Sequence, residues 1–542
     1  MNSKFLKILV FCLTFSLLIG ILPVFAEEND ISEALRLRDG IIEYELKKTN
    51  SESIQDFIDG YLSENAGVSS EWFAIAINQI EQYDLSKYGA LLEAYLENNE
   101  INSASTRLKM ILSLIASDCG SEYIEKNLDE SIGKLGIMSE IFGIHAINNG
   151  ASSNLHTIKS LTDSILARQL SDGGWGINGK NSDVDTTAMA IQALAISYTE
   201  PEVATAIESG LQFLSEKQQD NGGFVMYGVN NPESVSQVII ALSDIGIDCE
   251  TDTRFIKNGN TLFDALSFFE LDDGSFSHIE GGESNSNATI QVLCAAIAYI
   301  RMSNNQSAFY VLDKHDFSDI SQTEEKISVD SVLEASLPSE NAEPEENKIG
   351  LKTKIIIGII SIAILLCIVL LICKNKNKST YILIAVTAIV AIILVSVSGI
   401  KTVEEYYSTI EAEKENTIGT VTISIKCDEL IGKSDESHIP QNGIILDSQS
   451  ITICEGDTVY SILAEATAKN RIPIEINGMD DSVYVEGIGH IYEFDFGELS
   501  GWTYYVNGKI PNLGCGEYKL SAGDVIEWVY TCDIDDEYEN LS

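Results

Sequence analysis

A short turn motif that occurs three times constrains the fold of this chain more than any other feature. Gln169, Gly173 and Trp175 are spaced Q-x3-G-x-W, and residues 218–224 and 270–276 repeat the spacing as Q-x3-G-x-F and E-x3-G-x-F. The aromatic residues of the three copies lie 49 and 52 residues apart, which is the length of two helices and two turns. Because one helix pair cannot bury its apolar face alone, the sequence predicts αα-hairpins that stack on one another.

Apolar residues recur at helical spacing from Ser32 to about Arg301, with short Ser, Asn and Gly turns between them. The stretch has room for roughly twelve helices, enough for a closed ring of six inner and six outer helices. The motif resembles the QW repeat of the α/α-toroid superfamily, which includes terpene cyclases, protein prenyltransferase β-subunits, complement thioester domains and cobalamin carriers. The resemblance implies an all-α (α/α)6 toroid over residues 27–305 and leaves the chemistry open.

The charge balance and the first residues indicate an exported protein. The chain has 82 acidic and 34 basic residues and a formal charge of −48, a field that repels phosphate backbones, so nucleic acid is not an expected partner. Residues 1–26 combine Lys4 and Lys7 with an apolar run and a small-residue cleavage site at Ala26, and they indicate a secretory signal peptide. The mature protein is expected to begin at Glu27.

Two apolar spans after an acidic linker predict a membrane anchor. The linker, residues 306–354, is rich in Ser, Glu, Asp and Pro. Spans 355–373 and 381–400 are long enough to cross a bilayer as helices and predict a transmembrane hairpin, with 374–380 as a lysine-rich cytoplasmic turn. Residues 401–419 follow as a juxtamembrane segment. With the signal peptide, this topology predicts a cell-membrane protein whose two large domains are extracellular.

The apolar pattern changes to a period of two in the last part of the chain, residues 420–537. Asn-Gly turn signals at 477–478 and 507–508 separate the predicted strands, and one helix is predicted to begin with Asp457 as its N-cap. The sequence therefore predicts a small α+β domain with a mostly antiparallel sheet.

Three stretches of this domain carry a second resemblance. EGDTVYSIL, YVEGIGHIYEFDFGELSGWTYYVNGKIPNLGC and YKLSAGDVIEWVYTC are similar to a family of exported bacterial domains of unknown function. That family is related to the C-terminal β-domain of transcobalamin and intrinsic factor. A toroid at one end and this domain at the other is the two-domain plan of the cobalamin carriers. The resemblance therefore implies a transcobalamin-like protein with its ligand held between the two halves.

Four of the ten cysteines lie in this domain: Cys427, Cys454, Cys515 and Cys532. In an exported β-rich domain they predict two disulfides, and their spacing leaves three connectivities open. A bridge between Cys515 and Cys532, which would close the last hairpin, is favoured. No C-x-x-C pair occurs, so no metal site is predicted.

Residues 183–188, Asp-Val-Asp-Thr-Thr-Ala, are the strongest candidate for catalysis. They resemble the D-x-D-D-T-A motif of class II terpene cyclases, so the resemblance implies Asp185 as the acid of a terpene cyclase or prenyl-chain enzyme. Thr186 stands where that motif has its last Asp, and the plainer interpretation makes Asp185 the N-cap of a helix. A Cys-Gly-Glu-Gln thioester and a G-x-S-x-G motif are missing from the sequence. Binding is therefore predicted rather than catalysis.

The predicted function is capture of cobalamin or a related corrinoid, with no cofactor required and with an uptake transporter as partner. Corrinoids present mostly amides, which uncharged polar residues and a few aromatic residues can bind. The predicted ligand-binding residues are Asp185, Thr187, Gln192, Gln237, Asn287 and Gln291 in the toroid and Trp502, Tyr504 and Tyr505 in one strand of the C-terminal domain. Alternation along that strand predicts Trp502 and Tyr504 on one face and Tyr505 on the other.

Each of these residues also has a structural alternative to ligand contact, which is a capping or surface role in the toroid and a core position in the strand. The same holds for the histidines considered as cobalt ligands, which are His145, His156, His278 and His490. A non-catalytic surface adhesion module is the third functional alternative, beside the corrinoid binder and the isoprenoid enzyme.

Overall fold

The structure is a computed structural model that describes residues 31–80, 83–134, 136–177, 179–226, 228–314, 417–434, 438–478, 480–497 and 499–534. The chain divides into two compact units. The first comprises Met1–Tyr61, Ile75–Tyr83 and Glu140–Leu312, and the second comprises Leu62–Ala74, Asp84–Ser139 and Asp313–Ser542. The predicted signal peptide, both predicted transmembrane spans and the predicted cytoplasmic turn lie outside the described residues. The predicted domain boundaries stay predictions.

Helices dominate the described part of the N-terminal region, as the apolar spacing predicts. They are α1 (Ser32–Thr49), α2 (Ile54–Phe57), α3 (Glu71–Asn78), α4 (Ser86–Asn98), α5 (Ala104–Ala116), α6 (Ser121–Ser131), α7 (Gly136–Asn148), α8 (Ile158–Ala167), α9 (Val184–Leu194), α10 (Pro201–Lys217), α11 (Pro232–Asp244), α12 (Leu262–Leu266) and α13 (Ser286–Ser303). A π-helical turn, Ile58–Leu62, follows α2, and a short ribbon of β1 (Val225–Met226) and β2 (Val229–Asn230) precedes α11.

In the first unit, α11 packs against both α9 and α13, and α1 also packs against α13. The helices meet through apolar side chains, of which Ile191 of α9 and Val238 of α11 have no exposed surface. Arg36 of α1 forms an ion pair with Glu270 at 2.6 Å. The first described helix therefore packs against the last described helix of this unit and is also tied to the segment before it.

The Gln-Gly-aromatic turns hold successive helices together, as the motif predicts. Gln169 Nε2 donates to the backbone oxygens of Gly173 and Ala206, each at 2.8 Å, so this side chain joins its own turn to α10. The second copy repeats the geometry, because Gln218 Nε2 donates at 2.8 Å to the glycine of its own turn and to the backbone oxygen of Phe255. In each of these two copies, one side-chain amide therefore fixes the turn and the neighbouring segment together.

The glycine of each turn is required by the backbone conformation. Gly173, Gly222 and Gly274 have φ angles of 90°, 86° and 90°, in the region that L side chains rarely adopt. A Cβ atom on Gly222 would also lie only 2.3 Å from the backbone oxygen of Thr261. Both the turn and the close approach of the next segment therefore depend on glycine.

The C-terminal strands in the second unit form two sheets. The elements are β3 (Thr417–Lys426), β4 (Ile444–Cys454), α14 (Val459–Asn470), β5 (Ile474–Asn477), β6 (Tyr484–Ile488), β7 (Ile491–Tyr492), β8 (Gly501–Val506) and β9 (Val525–Thr531). One sheet has the order β4-β3-β9-β8 and the other β5-β6-β7, and all pairs are antiparallel except β3 with β9. These sheets and the one α-helix among the described residues of the C-terminal region confirm its predicted make-up.

Helix α14 packs on β3 and β4. Its N-cap is Thr458, whose hydroxyl oxygen accepts the N–H of Ser461, so the prediction of Asp457 as the cap is wrong by one residue. Asp457 instead accepts the N–H of Cys454 at 2.8 Å and fixes the end of β4 to the turn before the helix.

Two buried carboxyl groups, Glu486 of β6 and Glu493 directly after β7, contact the N-terminal end of α5 within the second unit. Ser103, the N-cap of α5, donates its hydroxyl to Glu493 Oε1 at 2.9 Å, and Thr106 donates to Glu486 Oε1. Glu486 is 2% exposed and Glu493 8%. Burial, and then the charge of Glu486, raise the pKa of Glu493 to about 7, while the hydroxyl groups that donate to it oppose the rise.

The predicted fold class is corrected by the helices that the structure describes, because none of them is long and apolar enough to cross a membrane. The two longest, α1 and α13, have 18 residues each. Helix α1 carries many charged residues, and α13 includes Asn287, Gln291 and Arg301. The combination of a toroid, a transmembrane hairpin and an α+β domain is therefore wrong. The described residues form a helical N-terminal region and C-terminal sheets.

The predicted disulfides are not formed. The four cysteines of the C-terminal region all lie within the described residues, and no disulfide joins them. Cys515 Sγ donates to the backbone oxygen of Val483 at 3.4 Å, and Lys433 Nζ donates to Cys532 Sγ at 3.1 Å. The two cysteines of the favoured pair therefore have different surroundings.

Candidate ligand-binding site

Three helices of the first unit begin with the same capping arrangement. Asp183, Asn231 and Asn285 are the N-caps of α9, α11 and α13, and each side chain accepts the N–H of the third helical residue, at 2.7, 2.8 and 2.9 Å. Asp183 therefore caps α9, and the interpretation of Asp185 as the cap is wrong. Asp185 lies in the first turn of α9 instead.

The carboxyl group of Asp185 is closed to solvent at Oδ1, although the residue as a whole is half-buried. This oxygen has no hydrogen-bond partner among the described residues. Burial, and then the negative charges of Asp183 and Glu233, raise the pKa of Asp185 to about 7, while the Ser234 hydroxyl opposes the rise. Near neutral pH a large fraction of this carboxyl group is protonated, and in that form it can donate a hydrogen bond to a neutral oxygen.

Glu233 occupies the position in α11 that Asp185 has in α9, two residues after the N-cap. Its Oε1 lies 2.8 Å from His278 Nδ1, and its Oε2 is buried with no partner in the part of the chain that the structure describes. The N-terminal ends of α9 and α11 therefore bring Asp185, Glu233 and His278 into one polar cluster. Glu233 is not among the predicted site residues, although aligning the three capping sequences D-V-D, N-P-E and N-S-N would have indicated it.

Gln192, Gln237 and Gln291 form a chain of side-chain amides across α9, α11 and α13, named here the glutamine row. Gln192 Nε2 donates to Gln237 Oε1 at 2.9 Å and to its backbone oxygen at 3.0 Å. Gln237 Nε2 donates to Gln291 Oε1 at 2.6 Å. Gln192 and Gln237 are 4% and 8% exposed, and Gln192 Oε1 accepts no hydrogen bond from the described residues. The structure therefore brings three predicted ligand-binding residues together and leaves one buried acceptor unused.

Thr187 and Asn287 have other surroundings. Thr187 is fully buried, and its Oγ1 accepts the N–H of Trp175 at 2.9 Å. Thr289 of α13 accepts the N–H of Phe276 at 3.0 Å in the same way. A threonine at this position of the helix is therefore part of the repeated turn, and Thr187 has that structural role. Asn287 is exposed in the first turn of α13. Ligand binding by Thr187 or Asn287 stays a prediction.

The predicted aromatic residues of the C-terminal region lie on β8. Trp502 and Tyr504 are 5% and 8% exposed, whereas Tyr505 on the other face is half-buried, which confirms the predicted alternation. Trp502 Nε1 donates to the backbone oxygen of Ile491 at 2.8 Å, and its ring packs edge-on against Tyr530. Trp502 and Tyr504 therefore belong to the core of the sheets, and a contact of the three residues with ligand stays a prediction.

No cluster of three or more His, Cys, Asp or Glu side chains in the described ranges is arranged to hold a metal ion. The four histidines considered as cobalt ligands have different surroundings. His278 contacts Glu233, His145 is buried, His156 is half-buried and His490 is exposed.

Comparison with known proteins gives one domain match and a similarity to solved structures. Residues 456–531 match DUF4430, a domain of unknown function. This match confirms the predicted resemblance of the C-terminal region to a domain family of unknown function. No curated protein sequence matches the chain. Among solved structures, the chain is similar to the crystal structure of haptocorrin in complex with Cbi, with 14% identity, a TM-score of 0.40 and coverage of 93% of this chain and 98% of that chain.

Proposed function

We propose that the protein binds a small, uncharged molecule rich in amide groups, with a corrinoid as its ligand class, and does not transform it. The observation that carries this proposal is the glutamine row. Its three amides lie on three helices, two of them are buried, and Gln192 Oε1 is a buried acceptor with no donor among the described residues. The sequence resemblance of both ends of the chain to the cobalamin carriers supports the corrinoid class.

The chemistry of the first unit suits a neutral ligand. Each glutamine amide has both a donor and an acceptor, so it can pair with an amide of the ligand without a charge on either side. Asp185 adds a carboxyl group whose pKa is raised to about 7 by burial, so that its neutral form can donate to a ligand carbonyl. An anionic ligand would instead be repelled by the negative charges of Asp183 and Glu233.

Titration of the full-length chain with cyanocobalamin and with cobinamide tests this proposal. We expect saturable changes in the corrin absorbance with a dissociation constant in the micromolar range or tighter. The Gln237→Leu variant should bind at least about tenfold more weakly, because the middle amide of the row both donates and accepts.

A matched control is Gln212→Leu, which changes an exposed glutamine of α10 and should leave the affinity unchanged. Absence of binding by the unaltered chain would contradict the corrinoid class. Equal affinities of the Gln237→Leu variant and the unaltered chain would exclude the glutamine row as the site.

A second candidate function is acid catalysis on an isoprenoid alkene by Asp185, and the raised pKa of this buried carboxyl group favours it. A general acid contributes about a hundredfold or more to a rate. If the protein were such an enzyme, Asp185→Asn would reduce turnover of a polyprenyl substrate by that factor, while Asp172→Asn in the preceding exposed turn would not. Our proposal predicts no turnover by either variant or by the unaltered chain, measured as product formation by mass spectrometry.

A further inference from the structure

A set of polar contacts joins the sheet β5-β6-β7 to the N-terminal end of α5, within the second unit. The backbone N–H and the side-chain Nδ2 of Asn102 donate to the two carboxylate oxygens of Glu475, at 3.0 and 2.8 Å. Lys109 Nζ donates to Asn477 Oδ1 at 2.7 Å. The partners are 373 and 368 positions apart, so these hydrogen bonds hold two distant parts of the sequence together.

The same contact includes the buried carboxyl groups of Glu486 and Glu493. The hydroxyl groups of Ser103 and Ser105 both donate to Glu493 Oε1, at 2.9 and 3.3 Å, and Thr106 donates to Glu486 Oε1. The backbone N–H of Glu493 donates to the backbone oxygen of Glu486 at 2.9 Å, so the two residues are neighbours. The N-terminal end of a helix favours one negative charge, whereas burial of two neighbouring like charges is unfavourable.

Acidic side chains outnumber basic ones around this pair of carboxyl groups. Lys109 is also 3.7 Å from Glu71, and Arg107 donates to the backbone oxygen of Asn102 at 2.8 Å. The other titratable side chains around the contact are Glu71, Glu100, Glu475 and Asp495, with Tyr95, Tyr484 and Tyr492. Ionisation of both buried carboxyl groups therefore adds negative charge to a region that is already negative.

The surroundings favour the protonated form of both carboxyl groups. Burial, and then the charge of Glu486, raise the pKa of Glu493 to about 7. Burial also raises the pKa of Glu486, and the charge of Glu475 adds to the rise. The Thr106 hydroxyl and the charge of Lys109 oppose it. Both carboxyl groups therefore bind a proton more readily in the contact than in water, so their ionisation favours separation.

The C-terminal sheets have an apolar core that does not include this contact. The buried side chains of that core lie between Val421 and Tyr530, and in the described part of the chain none of them comes from α4, α5 or α6. Val485, Ile488 and Ile491 of the sheet β5-β6-β7 belong to it. Because the core is complete without α5, the polar contact can open while the sheets stay folded.

We propose that this contact is a proton-dependent latch, which holds the C-terminal sheets on α5 while Glu486 or Glu493 carries a proton and opens when both are ionised. Repulsion between the two carboxylates, and their hydration once they are exposed, drive the opening. The hydroxyl groups of Ser103 and Thr106 oppose it, because they donate to the carboxylates only in the closed state. The latch goes beyond the proposed ligand binding and does not rest on it.

Hydrogen exchange of the full-length chain tests the latch through two backbone N–H groups that donate across the contact. Asn102 donates to Glu475 at 3.0 Å, and Gly478 donates to the backbone oxygen of Val68 at 2.9 Å. Mass spectrometry of peptides that contain these groups, corrected for intrinsic exchange rates, measures their protection. We expect the protection to fall at least about tenfold between pH 6 and pH 8.

The amide groups of β3 distinguish opening of the latch from unfolding of the sheets. They lie in the core of the sheets and should stay more strongly protected than Asn102 and Gly478 at both pH values. Equal protection of all these groups would overturn the proposal, because the contact would then open only when the sheets unfold. Protection of Asn102 and Gly478 that does not change with pH would overturn it as well.

The double variant Glu486→Gln/Glu493→Gln resembles the protonated state at every pH, so the protection of Asn102 and Gly478 should be the same at pH 6 and pH 8. Glu455→Gln, at an exposed position before α14, is the matched control and should keep the tenfold fall. A tenfold fall in the double variant would overturn the latch, because other groups would then cause it. Glu493→Gln alone should show a smaller fall than the unaltered chain, which provides the test if the double variant does not fold.

Discussion

Replacing Trp175 with alanine is expected to lower the free energy of unfolding by about 3–5 kcal/mol, the largest effect of any single change considered for this protein. The indole ring has no exposed surface. Its Nε1 donates to the backbone oxygen of Ile165 at 2.7 Å, and its backbone N–H donates to Thr187. The ring also fills the space beside Gly210, where a Cβ atom would lie 2.9 Å from it. Alanine would leave a large cavity between α8, α9 and α10.

Urea denaturation followed by far-ultraviolet circular dichroism measures this loss, and Trp175→Phe is the matched control. Phe224 and Phe276 occupy the equivalent position in the other two turns, so the site accepts phenylalanine. The control should lose only about 1–2 kcal/mol, because it keeps most of the ring and gives up the hydrogen bond to Ile165. Equal losses in the two variants would mean that the hydrogen bond, and not the packing, stabilises the turn.

Acidification from pH 8 to pH 4.5 is expected to stabilise the second unit by about 3 kcal/mol through Glu493 alone. The pKa of this carboxyl group is raised from 4.5 to about 7 by burial and by Glu486. A group whose pKa is higher in the folded state stabilises the fold fully below its unfolded pKa and loses that contribution as the pH rises through the folded value. The contribution is therefore complete below about pH 4.5 and is lost as the pH rises through about 7.

Glu493→Gln isolates this effect, because glutamine resembles the protonated acid at every pH. At pH 8 the variant should be about 3 kcal/mol more stable than the unaltered chain, and at pH 4.5 the two should be equal. Glu455→Gln, at an exposed position, is the control and should show no such difference. Burial also raises the pKa values of Asp185 and Asp244. These two groups give the same pH dependence of the free energy of unfolding to both proteins, so their contribution cancels when the variant is compared with the unaltered chain. A stability difference that is the same at both pH values would refute the role of the Glu493 proton.

The local features of this fold could be predicted from the sequence because they depend on residues close together in the chain. The turn around Trp175, the glycine at 173 and the alternation of Trp502 with Tyr505 each follow from spacing and residue type within about ten positions. The sequence places the capping residue of α9 two positions too late, because Asp183 and Asp185 are both good caps and only the backbone geometry distinguishes them.

The remaining features depend on contacts between distant residues. Ser103 and Glu493 are 390 positions apart, and neither has a local pattern that indicates the other. The glutamine row could be predicted only as separate candidates, because the hydrogen bonds that join Gln192 to Gln237 require two helices to lie side by side. The disulfide prediction failed for the same reason, since cysteine count and spacing do not fix which sulfur atoms meet.

The packing of α1 against α13 also has a consequence during synthesis. Arg36 of α1 and its partner Glu270, which precedes α13, are separated by 234 positions, so α1 leaves the ribosome long before its neighbours exist. At about 5–20 residues per second the delay is roughly ten to fifty seconds, during which the apolar face of α1 has no native surface to cover it. A nascent chain of this kind is a natural substrate for a holdase, and the first unit can complete its fold only after the last of its helices has emerged.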